Sequence, residues 1–212
     1  AASDVYKRQG GKAWANQCSC MEPVELNIMG QMGVGISTQP RSNALCNAGI
    51  APVADMLKNG IKVGLGTDNG EGNFYENMRY LVLMQMGKNY SKHALTPLQG
   101  FQIATEGGAF GLGYTDVGCL KEGYSADFQI LTGNAAIQLT EKNVVAEVFW
   151  RKDPKDIKKV YVNGNLICQD GHSVNLDDER IRKDFSECVR EFWKGQPYQD
   201  SVSYTHLTLP TI

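Results

Sequence analysis

The feature that most constrains this chain is the alternation of short apolar runs with helix-like segments over its first half, joined by short loops. Val34 to Thr38 is a β-branched run, Ile50 to Lys58 carries apolar residues at Ile50, Val53, Met56 and Leu57, and Ile61 to Leu65 is apolar again. That reads as strand, helix, strand. Pro52 sits near the start of the middle helix, where a missing N–H costs nothing, and Asn59-Gly60 closes it. An earlier helix is expected from about Pro23 to Gly33, another from Asn73 to Met86, and a third opened by Thr96-Pro97-Leu98-Gln99, a capping box with Thr96 as N-cap and Gln99 at N3. Parallel strands need crossovers of this kind, almost always right-handed, so the expected class is α/β with a parallel sheet. About three βα units fit between Gly10 and Gly113, whereas a closed (β/α)8 barrel takes about 250 residues. The sheet cannot close by itself.

The second half changes period. Asp127 to Leu131, Val144 to Phe149 and Ile157 to Val162 read as strands, and Asn163-Gly164 joins the last of these to Leu166-Ile167-Cys168 through an expected type I′ hairpin. A terminal helix from about Asp177 to Lys194 places Asp177, Asp178 and Glu179 where the helix dipole favours them. Its apolar residues Ile181, Phe185, Cys188, Val189 and Phe192 share one face, which predicts packing on the body of the protein. Residues 1–9 and 201–212 match neither pattern and look like translated adapter sequence, which would place His206 outside the natural protein.

Composition narrows the function classes. The 212 residues carry 21 Lys and Arg against 23 Asp and Glu, a formal net charge of −2. That is not the basic footprint of a chain that neutralises many phosphates, so nucleic acid is not an expected partner. No run approaches the roughly 18 apolar residues of a membrane span, and residues 1–11 contain no apolar core of a signal peptide, so a cytoplasmic protein is expected. Six cysteines without C-x-x-C pairing read as free thiols in a reducing compartment. Cys18-x-Cys20 would project to one face of a strand, a candidate metal pair to be weighed against ordinary packing. His93 and His172 have no second ligand at metal spacing and read as surface or loop residues. Arg151 to Lys159 holds five basic residues diluted by Asp153 and Asp156, a solvated turn rather than an anion site.

Val63-Gly64-Leu65-Gly66-Thr67-Asp68-Asn69 is the most informative stretch. A strand that runs into Gly-Thr-Asp leaves a carboxylate at its C-terminal end, where parallel α/β folds collect ligands and catalytic groups. Asp68 as the cap of the following helix, or as an Asx turn, is the structural alternative. Glu71, Asn73 and Glu76 could likewise face the pocket mouth or begin that helix.

Gly35-Ile-Ser-Thr-Gln-Pro-Arg-Ser-Asn43, Gly49-Ile-Ala-Pro-Val-Ala-Asp-Met-Leu57, Gly60-Ile-Lys-Val-Gly-Leu-Gly-Thr-Asp68 and Ala104-Thr-Glu-Gly-Gly-Ala-Phe-Gly-Leu-Gly113 follow one another in an order that resembles the C-terminal half of the metal-dependent amidohydrolases. Within that superfamily the chain is most similar to the branch of guanine, cytosine and S-adenosylhomocysteine deaminases and triazine chlorohydrolases. Leu120-Lys-Glu-Gly-Tyr-Ser-Ala-Asp-Phe128 resembles the segment where such chains leave the barrel for a small β-sandwich.

The resemblance implies a fold in which residues 10–118 are the later strands and helices (strands 6 to 8) of a (β/α)8 TIM-like barrel and residues 119–200 a small β-sandwich module with its C-terminal helix. It implies a hydrolase of non-peptide C–N bonds, a deaminase of a nitrogenous heterocycle or a chlorohydrolase. The cofactor would be Zn2+ or Fe2+ in the complete enzyme, the partner a small heterocyclic substrate, and the oligomeric state, homo-oligomer included, stays open. Asp68 matches the eighth-strand Asp, a metal ligand that passes the proton of the activated water to the leaving group. The first-strand His pair and fifth-strand His of the family have no counterpart here, and Asn16 or Gln17 stands where a sixth-strand His is frequent. Thr38-Gln39 stands where many relatives have His-Cys. Asn16, Gln17, Thr38 and Asn69 are the candidate substrate contacts. Without its missing ligands the chain alone is expected to be inactive. The rival reading is a non-catalytic relative that has lost its metal site and acts in binding or interaction.

Overall fold

The computed structural model describes residues 13–68, 72–133 and 137–194. The two adapter-like tails, Asn69 and Glu71 lie outside those residues. Three short parallel strands, β1 (Trp14–Asn16), β2 (Gly35–Thr38) and β3 (Lys62–Leu65), pair in sequence order. They are separated by α1 (Pro23–Gln31), then α2 (Pro40–Leu45) and α3 (Val53–Lys58). After β3 come α4 (Phe74–Lys88) and a long helical stretch made of α5 (Pro97–Gln102), a π-helical turn (Ile103–Gly107) and α6 (Gly108–Leu112). The Thr96 capping box is present as expected, and Asn73 caps α4 by accepting from the Glu76 amide.

Alternation along the strands sends Val34, Ile36, Val63 and Leu65 to one face, where they meet Leu26 and Met29 of α1, Val53 and Met56 of α3, and Met78, Leu81 and Val82 of α4. This is the core. Among the polar side chains inside it, Gln85 accepts from the Ala54 amide at 3.1 Å and donates to the Ala51 carbonyl at 2.8 Å, bolting α4 to α3 and the loop before it. The opposite face of the sheet carries Trp14, whose indole lies against Gly35 of β2 and Gly111 of α6. A methyl group at Gly111 would stand 1.4 Å from the ring. The indole therefore needs glycine on both sides of its slot, and α6 can lie this close to the sheet only because of it.

In the second half, β4 (Phe128–Leu131), β5 (Ile157–Val162), β6 (Asn165–Gln169) and β7 (His172–Ser173) form one antiparallel sheet in that order. Asn163 and Gly164 both have positive φ, 48° and 73°, as the type I′ hairpin requires. A second sheet that would make this a sandwich is not among the described residues.

Three expectations are corrected. Val144 to Phe149 is not a strand but lies in a helix, α7 (Val144–Arg151). Phe149 packs at 0% exposure beside Gly100 and Val82, so tertiary packing overrides the β propensity of Val-Val. The basic run that follows is not a free solvated turn. Arg79 of α4 donates from Nε to the Phe149 carbonyl at 2.9 Å, from Nη1 to Asp153 at 2.9 Å and from Nη2 to the Lys152 carbonyl. One guanidinium thereby joins α4 to the segment that enters β5. The terminal helix α8 (Asp178–Trp193) does not bury its stripe in the body, since Phe185 and Phe192 are each 69% exposed and no described element covers them. Amphipathicity states that a face needs a partner, not which one.

Gly111→Ala is expected to destabilise the chain by about 1–3 kcal/mol through overpacking. Urea unfolding measures it. Trp14→Ala combined with Gly111→Ala should cost less than the sum of the two single changes, because the cavity left by the indole accepts the methyl group.

Candidate functional site

Because β1, β2 and β3 are parallel and in register, their carboxyl ends lie at one edge of the sheet. The backbone leaves β1 abruptly: Gln17 and Cys18 have φ of 64° and 52°, and Asp68 beyond β3 has φ of 52°. None is glycine, and such conformations cost roughly 1–2 kcal/mol per residue. Three strained residues thus collect at one edge, where strain is most often tied to function.

They are held by a chain of hydrogen bonds. The Gln17 side chain donates from Nε2 to Asp68 Oδ2 at 2.8 Å, across 51 residues of sequence. The Gln17 amide donates to the Ser37 carbonyl at 2.7 Å and to Gln39 Oε1 at 3.1 Å, and Gln39 Nε2 donates to Ser37 Oγ at 2.8 Å. Gly66 leaves room for this. A methyl group there would lie 2.9 Å from Gln39 Nε2. Behind it, buried Asn77 of α4 donates to the Gly66 carbonyl at 2.9 Å and accepts from the Arg41 amide at 3.2 Å, and the Gly66 amide donates to the Thr38 carbonyl at 2.9 Å. The turn into Asp68 is fixed from both sides.

The candidates are placed as follows. Asp68 is exposed at the edge, bonded to Gln17. Gln17, not Asn16, reaches it. Asn16 is exposed, and its carbonyl accepts from the Cys18 amide and thiol. Thr38 is 1% exposed and alternates onto the face of Ile36, towards the helices, while its carbonyl serves the Gly66 amide. Asn73 and Glu76 belong to the start of α4, and Glu76 pairs with Arg41 at 3.2 Å. Ser37, Gln39 and Asn77 were not singled out as site residues. The signal that could have found Gln39 is Pro40, a helix-opening proline that makes its predecessor an N-cap.

A zinc ion needs three or four nitrogen, sulfur or oxygen ligands, and among the described residues no group of three or more His, Cys, Asp or Glu could hold a metal. The expectation that Cys18 and Cys20 share a strand face is corrected, because β1 ends at Asn16 and both cysteines follow it in a turn. Burial, with the Glu25 carboxylate second, pushes the Cys18 thiol above its ordinary pKa, away from the thiolate a metal requires. His172 lies 3.4 Å from Asp178, and His93 is exposed. The residues present therefore do not fit a zinc ion on their own.

A wide concavity lies elsewhere. About 660 Å3 in volume, it runs between α4, the α5 stretch and the antiparallel sheet, with Tyr75, Phe101, Phe128 and Tyr161 in its walls. Tyr75 donates to Gln129 Oε1 at 2.8 Å across it, and burial, then Asp156, raises the pKa of that phenol. It is mostly apolar and contains none of the strand-end groups.

Residues 4–167 match the model of the amidohydrolase family. The chain is 33% identical over 174 residues to a 5-methylthioadenosine/S-adenosylhomocysteine deaminase of Shouchella clausii, covering 80% of this chain and 40% of that protein. It is 27% identical over 186 residues to a 5'-deoxyadenosine deaminase of Methanopyrus kandleri, covering 86% and 43%. Among solved structures, an adenosine deaminase from Xanthomonas campestris with bound zinc superposes with a TM-score of 0.79 at 17% identity, over 85% of this chain and 42% of that one. An atrazine chlorohydrolase from Arthrobacter aurescens with zinc superposes at 0.74 with 22% identity, over 83% and 40%. The chain thus spans about 40% of the length of the curated relatives it matches. With residues 4–167 of its 212 matched by the family model, the chain belongs to the amidohydrolase family.

Proposed function

We propose that this chain is the C-terminal part of a metal-dependent hydrolase that removes an amino group from a nitrogenous heterocycle. The observation that carries the reading is Asp68, held at the carboxyl edge of the parallel sheet by the Gln17 amide at 2.8 Å. A carboxylate so placed takes a proton from attacking water and returns it to the departing amine, which leaves as ammonia. Asn16, Gln17 and Asn69 are the candidate substrate contacts on this reading, whereas Thr38, buried towards the helices, serves the site through its carbonyl to the Gly66 amide. The names of the relatives, deaminases of adenosine derivatives, favour a purine nucleoside over a triazine. The barrel closure, the β-sandwich and the division into residues 10–118 and 119–200 belong to the same proposal. So do Zn2+ or Fe2+ as cofactor, whose further ligands would come from outside this chain. Six cysteines without a disulfide support a cytoplasmic setting.

A second reading, a relative that binds without catalysing, is favoured by one observation: an amide engages Asp68 and no metal-holding group stands beside it among the described residues. The complete polypeptide decides between them. Ammonia released from adenosine or 5'-deoxyadenosine supports the hydrolase, and Asp68→Asn should then lower kcat/KM by about 10²–10⁴. Full-length protein with neither metal nor turnover on a panel of amino-substituted purines, pyrimidines and triazines would establish the binding role. The 212-residue chain by itself should carry less than about 0.1 zinc per molecule by elemental analysis. Stoichiometric, chelator-sensitive zinc in it would overturn the partial-site reading.

A further inference from the structure

We propose that Gln17 reads the amino group of the substrate: its Nε2 is committed to Asp68, and its Oε1 is the acceptor offered to the N–H of the ring-borne amine. This rests on the deaminase reading above.

The direction of the amide follows from its partner. An ionised carboxylate only accepts hydrogen bonds, so the end of Gln17 that lies 2.8 Å from Asp68 Oδ2 must be the NH2 group. The other end is then a carbonyl oxygen, and among the described residues it has no partner. The residue cannot easily turn away. Its backbone amide is bound by both the Ser37 carbonyl and Gln39 Oε1, and Gln39 is itself buried and tied to Ser37 Oγ. Gln17 also holds a positive φ of 64°, which glutamine has no intrinsic reason to adopt, and the next residue shares it. A strained backbone, a bound backbone amide and a directed side chain together present one acceptor beside the carboxylate that moves the proton.

An acceptor in that place distinguishes the two ends of the reaction. An amino substituent donates to Gln17 Oε1. The oxo group that replaces it after hydrolysis places one lone-pair oxygen against another, so the product is bound less well than the substrate. Asn16, one residue earlier, cannot replace it, since the bond to Asp68 is made by the Gln17 side chain.

Two measurements test this. In the 212-residue chain, the Gln17 side-chain NH2 protons should give a shifted, slowly exchanging pair in a 1H–15N spectrum that collapses to free-amide positions in Asp68→Ala; a pair unaffected by that change overturns the clamp. In the complete polypeptide, calorimetry should show 1-deazaadenosine, which keeps the amino group but resists hydrolysis, binding at least about tenfold tighter than inosine. Gln17→Met should abolish that preference while metal content and circular dichroism stay unchanged. A wild type that releases ammonia but whose preference survives Gln17→Met overturns this inference and leaves the deaminase reading standing. Metal lost with Gln17→Met makes Gln17 a ligand and also overturns it. A wild type that binds neither purine removes the purine-nucleoside reading and this inference with it, and the spectrum still decides whether the clamp exists.

Discussion

Parallel pairing determines where Asp68 can be. β1, β2 and β3 run the same way with Asn16 opposite Ser37 and Ser37 opposite Gly64, so the residues that follow each strand emerge at one edge. In an antiparallel sheet the middle strand would exit at the far side, and Gln17 and Asp68 would have no route to Ser37 and Gln39 together. The register converts a separation of 51 residues into a hydrogen bond of 2.8 Å. Buried amides need partners, and here Gln39 and Asn77 find theirs in the turns that lead to the edge, so the demand for satisfied polar groups and the shaping of the site are met by the same contacts.

Much of this architecture was legible because the punctuation was strong. Thr96-Pro97-Leu98-Gln99, Asn73 before Phe74, and Asn163-Gly164 each specify a local geometry that nothing distant has to supply, and all three formed as expected. Asp68 was legible for a related reason, since strand-Gly-Thr-Asp is a local pattern. Its partner was not. Asn16 and Gln17 are both amides one residue apart, and only the turn at Gln17, with its positive φ, decides which reaches across. Val144 to Phe149 failed as a strand because the deciding contacts, with Gly100 and with Arg79, come from residues far away in sequence. The short α2 after Gln39 was missed although Pro40 announced it.

The terminal helix shows the opposite limit. Its apolar stripe was read correctly as a stripe, yet Ile181, Phe185, Val189 and Phe192 all remain exposed. Periodicity reports the shape of a surface and is silent about its partner. Arg79 behaves in the reverse manner: a single charged side chain on α4, unremarkable in sequence, carries three bonds to the segment leading into the antiparallel sheet.

The π-helical turn at Ile103–Gly107 places two tightly packed glycines in different directions. Gly100, before it, meets Val82 and Phe149, whereas Gly111, after it, receives the Trp14 indole. Eleven α-helical residues would return both to nearly the same line, at about 100° each, and the extra residue of a π turn rotates the second by about that one step. One continuous helical stretch therefore serves a helix on one side and the sheet on another. In evolutionary terms the stretch is counted rather than merely composed: relaxing the turn to regular α-helix with all eleven steps kept would leave every side chain acceptable and still send Gly111 to the wrong neighbour.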